Sequence, residues 1–210
     1  MSAVLTLVRH GRTAHNAAGR LQGYADVPLD EVGLTQAARV ARRLAREAPR
    51  VTRIFSSDLT RAAQTAAAIG AATDVSVETS PQLREISVGI WEGRRMDELA
   101  LEEPAAFAAW PITYAPPGGE TVGEAGARLR RFFDELTFEH GEHVVLVSHG
   151  AAITGMLASL LSWDLAEVWR ERRGDHVNTA LTQLDVSGKG APGVRVLACA
   201  RHLEDASFQK

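Results

Sequence analysis

The chain has 210 residues, a formal net charge of −3 and one cysteine, with 45% hydrophobic and 23% charged residues. It is long enough to bury a sizeable core, and its composition excludes disordered and fibrous classes. The slightly acidic balance gives no general field for nucleic acid, and Cys199 alone forms no intramolecular disulfide or multi-cysteine metal site.

No apolar run reaches membrane-spanning length, and the first one, interrupted by Arg9, is too short for a signal segment. A single domain over residues 1–210 in a reducing cytoplasm is expected, with no membrane partner and with homodimerisation left open. Val4 to Val8 reads as a nearly continuous apolar strand, of the kind covered on both faces in a parallel sheet. It stops at Arg9-His10-Gly11, where an ordinary turn would use Asn, Asp, Gly or Pro.

Leu29 to Glu47 has helical spacing, with Asp30 and Glu31 suited to its N-terminal end. A strand at Val51 to Phe55, an Ala-rich helix at Asp58 to Ala72 and a short strand at Val75 to Glu78 follow. Between Ser87 and Glu120 the pattern changes to two Trp, four Pro and a Gly pair with only short helical stretches. Thr121 and Glu124 have capping-box spacing and open a helix to about Phe138. Val144 to Val147 repeats the first strand's design and ends at Ser148-His149-Gly150, before a helix at Ala151 to Leu161. Ala180 to Val186 and Val194 to Ala198 read as strands joined by "SGKGAPG". The expected fold is α/β: three layers, a mostly parallel sheet flanked by helices, and a short helical insertion at about 87–120 forming a lid.

Two strand tips carry histidine followed by glycine. In an open α/β sheet both tips would lie at the carboxyl edge, where such sheets bind ligands. If the strands are neighbours, His10 and His149 converge, and each glycine lets a ligand approach the backbone. Arg61 lies in the first turns of its helix, where a cation gains nothing from the macrodipole and calls for an anion. Glu85 stands just before the insertion and offers a carboxylate for proton transfer, its plainer alternative being a salt bridge to Arg84. Two arginines, two histidines and one carboxylate suit a phosphoryl group, since arginine binds phosphate oxygens and imidazole can act as nucleophile.

"LVRHGRTAHN", "SSDLTRAAQTA", "LREISVGIWEG" and "VVLVSHG" together resemble the histidine phosphatase superfamily, in the branch that contains cofactor-dependent phosphoglycerate mutases. The resemblance covers nearly the whole chain. It implies His10 as phosphate-accepting nucleophile and Glu85 as general acid and base, with Arg9, Arg61 and His149 around the phosphoryl group, where a protonated His149 would add positive charge. It also places Asn16, Gln22 and Gly23 in the phosphate or substrate pocket and brings Glu120 near substrate. "LREISVGIWEG" is similar to phosphatase-like members, whereas mutases typically carry a Tyr-containing sequence there and a longer insertion. Water is therefore the expected acceptor and a small phosphorylated metabolite the expected partner, with no cofactor and no metal. A phosphoglycerate mutase is the alternative within the family, and a catalytically silent binding module the alternative outside enzymes. Ser87-Val88 and His15 depart from the family pattern and bear on substrate choice.

The remaining motifs have plainer explanations. His140 and His143 fall in a polar turn without a metalloprotease signature. The arginines at 39, 42, 43, 46, 50 and 53 read as a solvated helix face, not as a nucleic-acid patch. Trp91, Trp110, Trp163 and Trp169 read as packing and Cys199 as a buried small hydrophobe, while His176 and Asn178, just before a strand, could approach the pocket but read more plainly as a surface loop.

Overall fold

The computed structural model describes residues 3–186 and 190–204. Six strands form one sheet in the spatial order β3-β2-β4-β1-β5-β6: β1 (Ala3–Arg9), β2 (Arg53–Ser56), β3 (Val77–Thr79), β4 (His143–Ser148), β5 (Leu181–Val186) and β6 (Gly193–Cys199). Only β5 runs against the others: β1, β2, β3 and β4 pair in parallel, while β5 pairs antiparallel with both β1 and β6. The mostly parallel sheet read from the sequence is therefore present. In the joining loop, residues 187–189 lie outside the described residues.

The apolar runs are continuous because both faces of the sheet are covered. Leu5, Leu7, Val144 and Leu146 face one core with α6 (Val122–Glu135) and α7 (Gly150–Leu161). Val8, Val145, Val147 and Ile54 face the other, with α2 (Glu31–Leu44) and α3 (Thr60–Thr73). Each such side chain stabilises the fold by roughly 1.5–3 kcal/mol relative to exposure. The parallel register sets Val8 opposite Val147 and Arg9 opposite Ser148, so His10 and His149 leave the sheet side by side.

Local chemistry fixes the helix boundaries. The Asp30 carboxylate accepts the Gly33 N–H at 2.7 Å and starts α2. Thr121 and Glu124 form the expected capping box at α6. That helix stops at Glu135, short of Phe138, because Leu136 turns extended and lets Phe138 fold back on Phe133, ring centroids 5.5 Å apart. Two short helices lie where no helix is expected from the sequence: α1 (Ala14–Ala17) and α8 (Leu165–Glu171). Both carry capping signals, a Thr13–Asn16 box and Asp164 accepting the Glu167 N–H.

The 87–120 insertion holds α4 (Met96–Glu102) and α5 (Pro104–Ala109). It is anchored by Trp91, which is fully buried and packs against Phe107, Trp110 and Tyr114 with centroids 5.7–6.2 Å away. Among the described residues, no helix is long and apolar enough to cross a membrane.

Candidate active site

β1 and β4 deliver the two histidines to the same place, with ring centroids 5.0 Å apart. The His10 Nδ1–H donates to the carbonyl of Gly11 at 2.6 Å, which fixes the tautomer and leaves the Nε2 lone pair for chemistry. Burial, then Arg61 and Arg9, push the His10 pKa well below the ordinary imidazole value, so the ring is neutral. Below the ring, the Asn178 side chain and the Thr179 N–H both donate to the His10 carbonyl, at 3.1 and 3.2 Å. Thr179 holds a left-handed backbone at φ 62° to do so, an unusual conformation for a β-branched residue.

Arg61 is completely buried. Its Nε donates to His149 Nδ1 at 3.2 Å, and its two terminal nitrogens donate to the carbonyls of Ala25 and Gly23, each at 2.8 Å. Burial lowers its pKa to about 10, partly offset by Glu85 and Asp26, and it stays cationic at neutral pH. Because His149 Nδ1 accepts from Arg61, its proton resides on Nε2. Burial and the positive charge of Arg61 hold this pKa well below the usual range. A protonated His149 would add positive charge at this point, but burial and the Arg61 hydrogen bond favour the neutral ring with its N–H on Nε2.

Arg9 donates through Nη1 to the His176 carbonyl at 2.5 Å. Its Nε and the Nε2 of His149 are both buried without a hydrogen-bond partner among the described residues. A buried polar group left unpaired costs about 1–3 kcal/mol, so two such donors beside a neutral imidazole mark where a ligand's acceptor oxygens belong. The Glu85 Oε1 accepts the N–H groups of Ile86 and Ala152, both at 3.0 Å, which sets its carboxylate at the N-terminal turn of α7. Arg84 pairs instead with Asp58 at 2.5 Å.

The other expected pocket residues surround this group less directly. Asn16 Oδ1 accepts from Asn178, and Gln22 Oε1 accepts from Thr13 at 2.8 Å. Gly23 supplies its carbonyl to Arg61. Glu120 is held by Arg128, Tyr24 and the Ser87 N–H.

Several expectations need correction. The glycine after His10 makes room for the protein itself: a Cβ on Gly11 would stand 2.6 Å from the Gly33 carbonyl oxygen. Gly150 similarly faces the Arg9 guanidinium, 3.5 Å from where its Cβ would be. His176 is fully buried, its ring bonded to Gly174 and Thr182, and Asn178 reaches His10, so this loop is the floor of the site. His143 is also buried, between Thr6 and the Pro49 carbonyl, because it is already the first residue of β4. Cys199 is partly exposed and accepts from Arg43 at 3.2 Å, since β6 is an edge strand.

A mostly parallel sheet whose carboxyl edge gathers two neutral imidazoles, Arg9, Arg61 and a carboxylate suits a phosphoryl group, and the comparisons with known proteins make the chain a phosphoric monoester hydrolase. Residues 5–198 match the profile of the histidine phosphatase superfamily (branch 1), and the chain belongs to that family. It is 38% identical over 200 residues to a glucosyl-3-phosphoglycerate phosphatase of Mycobacterium tuberculosis, covering 90% of this chain and 87% of that protein. It is also 38% identical over 183 residues to a probable phosphoglycerate mutase of Yersinia pestis, covering 85% and 83% respectively. A mycobacterial glucosyl-3-phosphoglycerate phosphatase solved with VO3 superposes with a TM-score of 0.79 at 36% identity, over 91% of this chain and 96% of that one. Bacillus stearothermophilus YhfR superposes with a TM-score of 0.85 at 32% identity, over 96% of this chain and all of that one.

Proposed function

We propose that this enzyme is a metal-independent phosphatase of small phosphomonoesters that works through a phosphohistidine on His10, with Glu85 as general acid and base. The observation that carries the reading is the neutral His10 ring, its Nδ1 tied to Gly11 and its Nε2 free, beside Arg9 and Arg61. The Nε2 lone pair attacks phosphorus in line, and the bond from phosphorus to the alcohol oxygen breaks. Glu85, in its acid form at this step, gives the leaving oxygen its proton. The positive charge that develops on the ring is dispersed into the Gly11 carbonyl through Nδ1–H.

Water then attacks the phosphohistidine while the Glu85 carboxylate takes its proton, and inorganic phosphate leaves. Arg9, Arg61 and the Nε2–H of His149 stabilise the charge spread over the equatorial oxygens, a task that fixed cations perform without a metal. Asn16, Gln22, Gly23 and Glu120 form the surrounding pocket wall. The substrate is a small phosphorylated metabolite, and the single cysteine fits a cytoplasmic setting.

The mycobacterial relative directs the choice of substrates. Glucosyl-3-phosphoglycerate, 2- and 3-phosphoglycerate, sugar phosphates, nucleotides and α-ribazole phosphate are assayed for phosphate release with a chelator present. Release that survives chelation supports the reading. Exclusive interconversion of 2- and 3-phosphoglycerate would replace it with a mutase, and dependence on added metal would remove the metal-independent mechanism.

A further inference from the structure

Glu85 is held from two sides by two helices whose backbones touch. A Cβ on Gly155 of α7 would stand 2.3 Å from the Val122 carbonyl oxygen of α6, and one on Gly126 would stand 2.3 Å from the Gly155 carbonyl carbon. Only glycine permits this approach, and it brings both helices to the segment that carries Glu85. From α7, the Ala152 N–H takes the carboxylate.

From α6, Arg128 takes the backbone. Its Nη1 donates to the carbonyls of Gln82 at 2.8 Å and Arg84 at 3.0 Å, and its Nη2 donates to the Glu85 carbonyl at 2.9 Å. The one carbonyl between them, Leu83, accepts from the Ser148 hydroxyl at 2.8 Å. Every carbonyl from Gln82 to Glu85 is therefore bound by a side chain from outside the segment. Arg128 Nη2 also meets Glu120 Oε1 at 2.7 Å, and that same oxygen accepts the Ser87 N–H at 3.0 Å. The chain is thus pinned on both sides of Glu85 by one ion pair. This pair is largely buried, its side chains 16% and 18% exposed.

We propose that Arg128 is the positioning residue that fixes the Glu85 carboxyl for proton transfer, a role that rests on Glu85 being the general acid as proposed above. A planar guanidinium with five fixed N–H groups can reach three carbonyls and a carboxylate together. A lysine ammonium has three donors at one point and cannot. Mispositioning a catalytic group by about 1 Å can cost about 100-fold in rate, so small slack in this segment matters.

The test separates positioning from mere stabilisation by the leaving group. R128A and R128K are compared with E85Q and the unaltered enzyme in kcat/KM for p-nitrophenyl phosphate and glycerol phosphate. The aryl oxide departs without a proton, whereas the alkoxide needs one. R128A is expected to lose about 100-fold with glycerol phosphate and far less with p-nitrophenyl phosphate, with R128K between. E85Q should show the same selectivity more strongly. Thermal unfolding is followed alongside; if R128A does not fold, R128K and E120Q, which slackens the same ion pair, supply the ratio. Equal losses on both substrates in the Arg128 variants, with E85Q selective, overturn the positioning role and leave Glu85 intact. Equal losses in E85Q itself overturn both.

Discussion

Substituting His176 makes acid stability a quantitative test of how the site's floor is built. The ring is fully buried and its carbonyl holds Arg9. Burial lowers its pKa from the ordinary 6.5 to about 4. Above 6.5 neither the folded nor the unfolded state carries the proton. As the pH falls through 6.5 the unfolded chain binds it, while the folded protein excludes it until about 4. Stability therefore drops with falling pH across this window, and the loss is complete below it. Each pH unit between the two pKa values contributes about 1.4 kcal/mol, so lowering the pH from about 7.5 to about 4.5 removes about 2–3 kcal/mol through this residue alone. H176Q retains hydrogen-bonding groups for Gly174 and Thr182 but does not titrate. Urea unfolding of both proteins at the two pH values isolates the effect, because the other histidines cancel in the difference. The variant should be the less stable at neutral pH, with the gap narrowing by about 2–3 kcal/mol in acid. A gap that is the same at both pH values refutes the buried neutral imidazole.

Three further outcomes follow from the geometry. R61K, whose ammonium cannot serve His149 and two carbonyls together, should lose about 10²–10³-fold in kcat/KM; a loss under about tenfold would show that Arg61 does not stabilise the transition state. G155V forces α6 and α7 apart and should cost about 1–3 kcal/mol, read as a fall of several degrees in Tm, whereas an unchanged Tm would contradict the close backbone contact. Because the His10 pKa lies well below 6.5, its imidazole should show no NMR titration between about pH 8 and 6. Protonation of His10 in that range would show that the ring is not desolvated as described.

His10, His149 and Arg61 of the proposed site are legible in the sequence because they sit at strand tips and a helix start, positions that apolar periodicity marks. Neighbouring β1 and β4 then supply the one fact that sequence order hides, that His10 and His149 meet. What stays hidden depends on long-range contact. Nothing in the linear sequence singles out Arg128 on its helix, and only the folded chain shows it bound to the Glu85 segment. His176 and Asn178 read as loop residues because polarity signals exposure, yet the unusual Thr179 backbone folds them beneath His10. The charge of His149 is decided by burial and the Arg61 hydrogen bond, and neither is visible in a linear string. The α1 cap, by contrast, is written locally, in the Thr13–Asn16 spacing.

The central claim is that His10 carries the phosphoryl group, and trapping that group tests it most directly. Enzyme quenched during turnover of a labelled phosphomonoester and digested for mass spectrometry should yield an acid-labile phosphate on the peptide containing His10. H10A should fold normally, carry no label and release no phosphate. Label on His149 or Glu85, or phosphate release persisting in H10A, would contradict the phosphohistidine mechanism.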